Sequence, residues 1–382
     1  MKICVFGTRG FPGVQGGVEQ HGERLYPRFP ADCEFVVYRR RPFVRETAAA
    51  YPRICFVDLP STRVQGFEAA FHSFLAAVHC LAERPDLVHV HNIGPAFFAP
   101  LLRLFRIPVV LTYHSPNYEH AKWGPLARRL LRLSESLALR AANAVVFVNK
   151  FQMEKYPPAV RRKSTYLPNG VDPALRDEGT DALGRLGLES GRYLLAVGRL
   201  APEKGFDVLL DAFKRAAPAG YKLAIAGGID HESAFSRALR QTADAGVVFA
   251  GHLVGAPLRQ LYSHARLFVL PSRNEGFPLV LLEAMAAGAD VLVRDLPATR
   301  LVDLPAEDYF SADADLAPAL LRKLAAPPPP RAYDLAPFDW NRIAAQTRDV
   351  FERAAAGRVL RTGGVKHQVH ESSACKASAG VR

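Results

Sequence analysis

Short apolar runs alternate with longer stretches of helical periodicity from the first residues onward. Lys2–Gly7, Gly17–Tyr26, Glu34–Tyr38, Ile54–Asp58, Phe67–Glu83, Leu87–His91, Ala96–Phe105, Val109–Tyr113, Pro125–Ala142 and Ala144–Asn149 carry this rhythm through the first half. Several of the runs, such as Val109–Tyr113 and Val145–Val148, are too continuously apolar for a sheet wet on one face. They predict parallel strands covered by helices on both sides. A turn-rich connector, Leu167-Pro-Asn-Gly-Val-Asp172, leads into Pro173–Ser190, where little order is expected. The rhythm then restarts with Tyr193–Gly198, Gly205–Ala216, Tyr221–Ala226, His231–Ala245, Val247–Ala250, Pro257–Ser263, Leu267–Leu270 and Leu279–Ala287. Ala326–Ala332 reads as a stiff polyproline-like spacer, Trp340–Ala356 as a helix, and Gly363–Arg382 as disordered.

The fold class this implies is α/β, with two tandem Rossmann-like parallel-sheet domains facing a central crevice at the carboxyl ends of their strands. The expected boundaries are 1–168, 169–339, a terminal helix over 340–356, and a tail over 357–382. A length of 382 residues suits two domains of ordinary size.

Composition narrows the setting. The chain is 49% hydrophobic, which marks it as globular. It has no basic and apolar leader and no run of about 18 apolar residues, so cytoplasmic folding is expected. The five cysteines, Cys4, Cys33, Cys55, Cys80 and Cys375, show no CxxC spacing and read as free thiols. The net charge of +12 is concentrated in Arg39-Arg40-Arg41 with Arg45, in Lys122, Arg128, Arg129, Arg132 and Arg140, and in Arg161-Arg162-Lys163. The middle group lies on an amphipathic helix, so an anionic membrane surface is a candidate partner, on the inner face of a plasma membrane. Specific nucleic-acid binding has no motif to support it.

The richest segment for chemistry is Pro271–Gly288. It places Glu275 in the turn after a buried strand and Glu283 one turn inside the next helix. The two carboxylates can grip one hydroxyl-rich ligand there, or can serve as a local cap and a solvated charge. Arg199 ends a strand and Lys204 precedes a helix, so both could meet a diphosphate. Gly16-Gly17 follows strand one at a helix start, which admits close approach of a phosphate and equally an ordinary tight turn. Asp313-Ala-Asp315 has a metal-site spacing but reads as surface charge in the loop Phe310–Leu316, with no strand end beside it.

Val197-Gly-Arg-Leu with Glu203-Lys-Gly205, Leu167–Asp172, and Glu275-Gly-Phe with Glu283 in Leu-Leu-Glu-Ala-Met-Ala-Ala-Gly288 together resemble the GT-B retaining glycosyltransferases of family 4 (GT4). Gly7-Thr-Arg-Gly-Phe-Pro, Gly16-Gly-Val-Glu and Lys122-Trp-Gly further resemble the bacterial rhamnosyltransferase-like subgroup. The resemblance implies transfer of a hexose or deoxyhexose from a UDP, GDP or dTDP sugar to a lipid-linked oligosaccharide or surface polysaccharide. It implies the alternative of a soluble small-molecule or glucan acceptor as well, and neither cofactor nor metal. Arg199 and Lys204 would then hold the diphosphate, Glu283 the ribose and Glu275 the transferred sugar. Gly276 and Phe277 would offer backbone contacts, Gly16 and Gly17 would close over the phosphates, and His114 would contact the sugar at the reaction centre. The last helix would cross back onto the first domain. Two departures stand out: Tyr113-His114-Ser115 where members often carry two histidines or His-Asp, and Asp290, which could alter a wall of the site or the domain contact. A non-catalytic nucleotide-sugar binding protein is the reading of another class.

Overall fold

In a computed structural model, which describes residues 1–44, 51–62, 64, 67–119, 124–173, 175–216, 218–229, 232–242, 244–328 and 331–362, the chain divides into two units. One is Met1–Asn169 with the chain from Trp340 onward; the other is Gly170–Asp339.

The sheet of the first unit contains β1 (Lys2–Phe6), β2 (Glu34–Arg40), β3 (Ile54–Leu59), β4 (Leu87–His91), β5 (Val109–Tyr113), β6 (Ala144–Phe147) and β7 (Ser164–Tyr166). All pairings are parallel, in the order β3-β2-β1-β4-β5-β6-β7. Strands β4 and β5 are buried along their whole length, the cause of the apolar run in β5. Alternation sorts their side chains. Val88, Val90, Leu111 and Tyr113 join Ala76, Ala77 and Cys80 of the helix Phe67–Glu83 in one core layer. His89, His91 and Thr112 point to the other face, where Phe351 of the terminal helix lies 4.9 Å from His89, ring to ring.

The second unit repeats the plan with β8 (Tyr193–Val197), β9 (Lys222–Ala226), β10 (Val247–Gly251), β11 (Leu267–Leu270), β12 (Val291–Arg294) and β13 (Tyr309–Phe310). Its order is β10-β9-β8-β11-β12-β13, again parallel. The direction of winding reverses between β1 and β4 in the first sheet and between β8 and β11 in the second. At such a switch the loops leave the strand ends in opposite directions and open a binding crevice within each sheet.

Several details differ from expectation. Pro173–Ser190 contains a helix, Asp181–Leu186, anchored by buried Ala182 and Leu183. The terminal helix runs to Thr362, past Gly357; one interior glycine costs only about 1 kcal/mol against alanine among good helix formers. Strands β7 and β13 are not among the expected runs: both are edge strands, β7 of three half-buried residues and β13 of two buried ones. Arg39 and Arg40 are not surface charge: each is 5% exposed. Arg39 forms a two-pronged pair with Asp58 at 2.7 and 2.9 Å, and Arg40 meets Glu68 at 3.4 Å.

Asp290 lies at the amino end of β12, opposite the carboxyl-end loops, so it forms no wall there. It is buried with Asp308 against Lys323 and Arg331, at 2.9 Å from the lysine and 2.6 Å from the arginine. Asp313 follows a strand end after all, and its carboxylate is bonded to Arg294 at 2.5 Å. Asp315 accepts from the Ala312 amide at 2.8 Å. Arg45, Lys122, Trp123, His231, Cys375 and the expected tail over 363–382 lie outside the described residues.

Candidate functional site

The loops after β8 and β11, neighbours at the switch of the second sheet, carry the predicted donor residues. Gly205 brings them together. It adopts φ +67°, and a Cβ there would stand 2.3 Å from the Pro271 carbonyl oxygen, so only glycine lets the two loops touch. Arg273 then ties them: its amide donates to Glu203 O at 2.9 Å, and its guanidinium donates to both Asp207 oxygens at 2.9 and 2.7 Å. Arg294 donates to Pro271 O at 3.1 Å from below.

On this support Lys204 Nζ donates to Glu275 Oε1 at 2.6 Å, with side chains 17% and 8% exposed. Arg199 pairs with Glu203 at 3.4 Å. The two cations are therefore each matched to a carboxylate of the same loops. An ammonium has three donors, and one bond to Glu275 leaves two for phosphate oxygens. Glu283, on the helix Leu279–Ala286, accepts from the Tyr262 hydroxyl at 2.9 Å. Burial first, and then the Glu283 charge, push the Tyr262 phenol well above its ordinary range, so it remains a donor. Phe277 is buried against Phe338, ring centroids 5.9 Å apart, which turns its side chain inward.

In the first unit, Gly16 precedes the helix Gly17–Leu25 with φ +148°. The Glu19 carboxylate occupies the place a Cβ at Gly16 would take, and it accepts from the Arg9 amide at 3.0 Å. His114, after β5, is 8% exposed and belongs to a histidine cluster. His91 Nδ1 lies 2.9 Å from His114 Nε2, and Tyr26 Oη lies 2.5 Å from His91 Nε2. Tyr26 Oη also lies 2.9 Å from His89 Nδ1, and His89 Nε2 is 2.7 Å from Thr112 Oγ1. His21 meets His91, His114 and Trp340 ring to edge at 5.5, 5.1 and 5.4 Å, and its Nδ1 is 2.7 Å from Asn169 Oδ1. Burial holds His89, His91 and His114 well below the ordinary histidine range, so all three are neutral.

Tyr26, His89, His91, Tyr262 and Arg273 were not legible as site residues. One signal existed for two of them. Val88-His-Val-His91 puts two histidines on the same face of a central strand, where apolar residues are the norm.

The chain matches the model described as Glycosyltransferase Family 4 over residues 15–175 and the one described as Glycosyl transferases group 1 over 191–326. It is 31% identical to glycogen synthase of Mycobacterium tuberculosis over 72% of this chain and 70% of that protein. It is 26% identical to alpha-maltose-1-phosphate synthase of Mycolicibacterium smegmatis, over 93% and 100%. It is 28% identical to phosphatidyl-myo-inositol mannosyltransferase of Mycobacterium leprae, over 93% and 96%. Among solved structures, sucrose-phosphate synthase from Thermosynechococcus elongatus superposes with a TM-score of 0.78 at 23% identity, covering 93% of this chain and 99% of that one. HepE of Anabaena in complex with UDP-glucose gives 0.66 at 17%, covering 93% and 98%. With two parallel-sheet units, charged loops at the switch of the second, and these relatives, the chain belongs to the GT-B glycosyltransferases related to family 4, enzymes that transfer a sugar from a nucleotide-sugar donor.

Proposed function

We propose that the chain is a retaining hexosyltransferase whose second unit holds a UDP, GDP or dTDP sugar and whose acceptor is a soluble sugar phosphate or glucan. The observation that carries this reading is the Lys204–Glu275 pair at the sheet switch. Lys204 and Arg199 neutralise the departing diphosphate, and Glu275 holds hydroxyls of the transferred sugar while keeping Lys204 in place. Glu283, oriented by Tyr262, takes the ribose hydroxyls; the Gly276 and Phe277 backbone and the Gly16-Gly17 loop contact the donor, and His114 contacts the sugar. The anomeric carbon–phosphate oxygen bond breaks as the bond to the acceptor oxygen forms on the same face. The acceptor proton passes to the departing phosphate oxygen, so no protein base is needed. The names of two relatives, a glycogen synthase and an alpha-maltose-1-phosphate synthase, support the acceptor class.

A second reading, a lipid-linked acceptor at a membrane, rests on a separate observation. The helix Pro125–Ala141 exposes Leu126, Leu130 and Leu133 at 71%, 56% and 50%, beside Arg128, Arg129 and Arg132. That combination suits an anionic interface. No described helix is long and apolar enough to cross a membrane. The rhamnosyltransferase-like subgroup suggested by Gly7–Pro12 is not needed for either reading.

The test is nucleoside diphosphate release from a panel of UDP, GDP and dTDP sugars with glucose 1-phosphate, maltose, a glucan, or a polyprenyl-diphosphate sugar in anionic vesicles. Turnover with a soluble acceptor that Glu275→Ala abolishes supports the first reading. Turnover only with vesicles selects the second, and no donor use by folded protein overturns both.

A further inference from the structure

The histidine cluster contains a single file of hydrogen bonds: Thr112 Oγ1, His89, Tyr26 Oη, His91 and His114, with contacts of 2.7, 2.9, 2.5 and 2.9 Å. Every member before His114 is at most 1% exposed. With all rings neutral, each link holds one proton, so the file has two self-consistent arrangements. In the first, Thr112 donates to His89 Nε2, His89 Nδ1 to Tyr26, Tyr26 to His91 Nε2, and His91 Nδ1 to His114 Nε2. His114 then carries its proton on Nδ1. In the second, every donor and acceptor is exchanged, and His114 Nδ1 is a bare acceptor.

Thr112 decides between them. In the second arrangement its hydroxyl accepts from His89, and its own hydrogen has no other acceptor among the described residues. A buried hydroxyl whose hydrogen finds no acceptor is costly, whereas one that donates and leaves a lone pair over is not; a buried imidazole nitrogen with no partner is costly as donor and as acceptor alike. The first arrangement strands no donor. We propose that the Thr112–His89–Tyr26–His91 file fixes His114 in the Nδ1–H form, so that His114 offers a hydrogen-bond donor to an oxygen of the transferred sugar and cannot serve as a base. Thr112, His89, Tyr26 and His91 are thereby positioning residues. The tautomer claim rests on the geometry of the file and on the burial that keeps its rings neutral; its role in transfer rests on the reading of His114 as a sugar contact.

The neutral state is supported by burial, which lowers the three histidines and raises the Tyr26 phenol well above its usual range. His114 Nδ1 has no hydrogen-bond partner among the described residues and is not among the enclosed, unpaired atoms, which leaves it open to a ligand.

The experiment is 15N NMR of the full chain labelled at histidine, with resonances assigned by single-histidine substitutions, on wild type, Thr112→Ser, Thr112→Val and Tyr26→Phe. The expected result is a protonated Nδ1 and bare Nε2 at His114 in wild type and Thr112→Ser, and mixed tautomers in Thr112→Val and Tyr26→Phe. A wild-type His114 protonated at Nε2, or one unchanged in both cut variants, overturns the proposal. Thr112→Val is nearly isosteric, so it keeps the test available should Tyr26→Phe fold poorly. In donor turnover, Thr112→Val is expected to lower kcat about tenfold with little change in donor KM, and Thr112→Ser to restore it. Tautomers that shift with no change in kcat overturn the role in transfer. Expected tautomers in a protein that uses no nucleotide sugar leave the file intact and remove the proposed function instead.

Discussion

Lys204 and Glu275 stand 71 positions apart in the chain and meet at 2.6 Å, because the loops after β8 and β11 leave neighbouring strands of one sheet and touch at Gly205. Removing either partner leaves a partly buried charge uncompensated. Lys204→Ala and Glu275→Ala are each expected to weaken donor binding by about 2 kcal/mol, some thirtyfold, and the double variant to lose less than the sum. A double-mutant cycle of nucleotide-sugar binding by calorimetry measures the coupling; strict additivity would mean the pair does not act as a unit.

Gly205 is the residue that permits this approach. Gly205→Ala places a Cβ against the Pro271 carbonyl at a positive φ, so both strain and collision act. A loss of roughly 2 kcal/mol in unfolding free energy is expected, along with a weakened donor site. Gly191→Ala, also at positive φ but with open space around it, controls for the backbone term alone. Equal effects of the two substitutions in urea denaturation would show that loop contact is not the cause.

Five histidines of the first unit, His21, His72, His89, His91 and His114, are held neutral chiefly by burial, with His21 lowered to about 4 and His72 to about 3. In the unfolded chain the same groups titrate near their ordinary value of about 6.5. Below that pH the unfolded state takes up protons that the folded state refuses. The histidine contribution is therefore full above about pH 6.5 and falls as pH drops toward 4, by roughly 1 kcal/mol per pH unit for each group. Urea midpoints between pH 7.5 and 4.5 should drop steeply; a flat profile would contradict neutral burial.

Tyr262→Phe removes the hydroxyl that holds Glu283 and keeps the ring packed beside Phe268. A stability loss of about 1 kcal/mol is expected. If Glu283 binds the ribose, donor KM should rise several-fold with kcat nearly unchanged; a selective fall in kcat would place Glu283 elsewhere.

The two-sheet plan could be deduced from residue order, because a strand covered on both faces needs a continuous apolar run, as in Val109–Tyr113 and Leu267–Leu270. The charged loop residues could also be found, since Arg199, Lys204, Glu275 and Glu283 are tied to strand and helix ends that local pattern reveals. Partners were another matter. That Lys204 faces Glu275, that Tyr262 holds Glu283, and that Arg39 and Arg40 are buried against Asp58 and Glu68 depend on which strands become neighbours, and a chain read residue by residue carries no such distance. Edge strands β7 and β13 escaped because three half-buried residues in one and two residues in the other are too few to carry a pattern. The file from Thr112 to His114 lay deepest out of reach: it takes one residue from a helix end, three from two adjacent strands and one from the loop after β5, and it exists only because pleating turns alternate side chains of β4 and β5 to the same face.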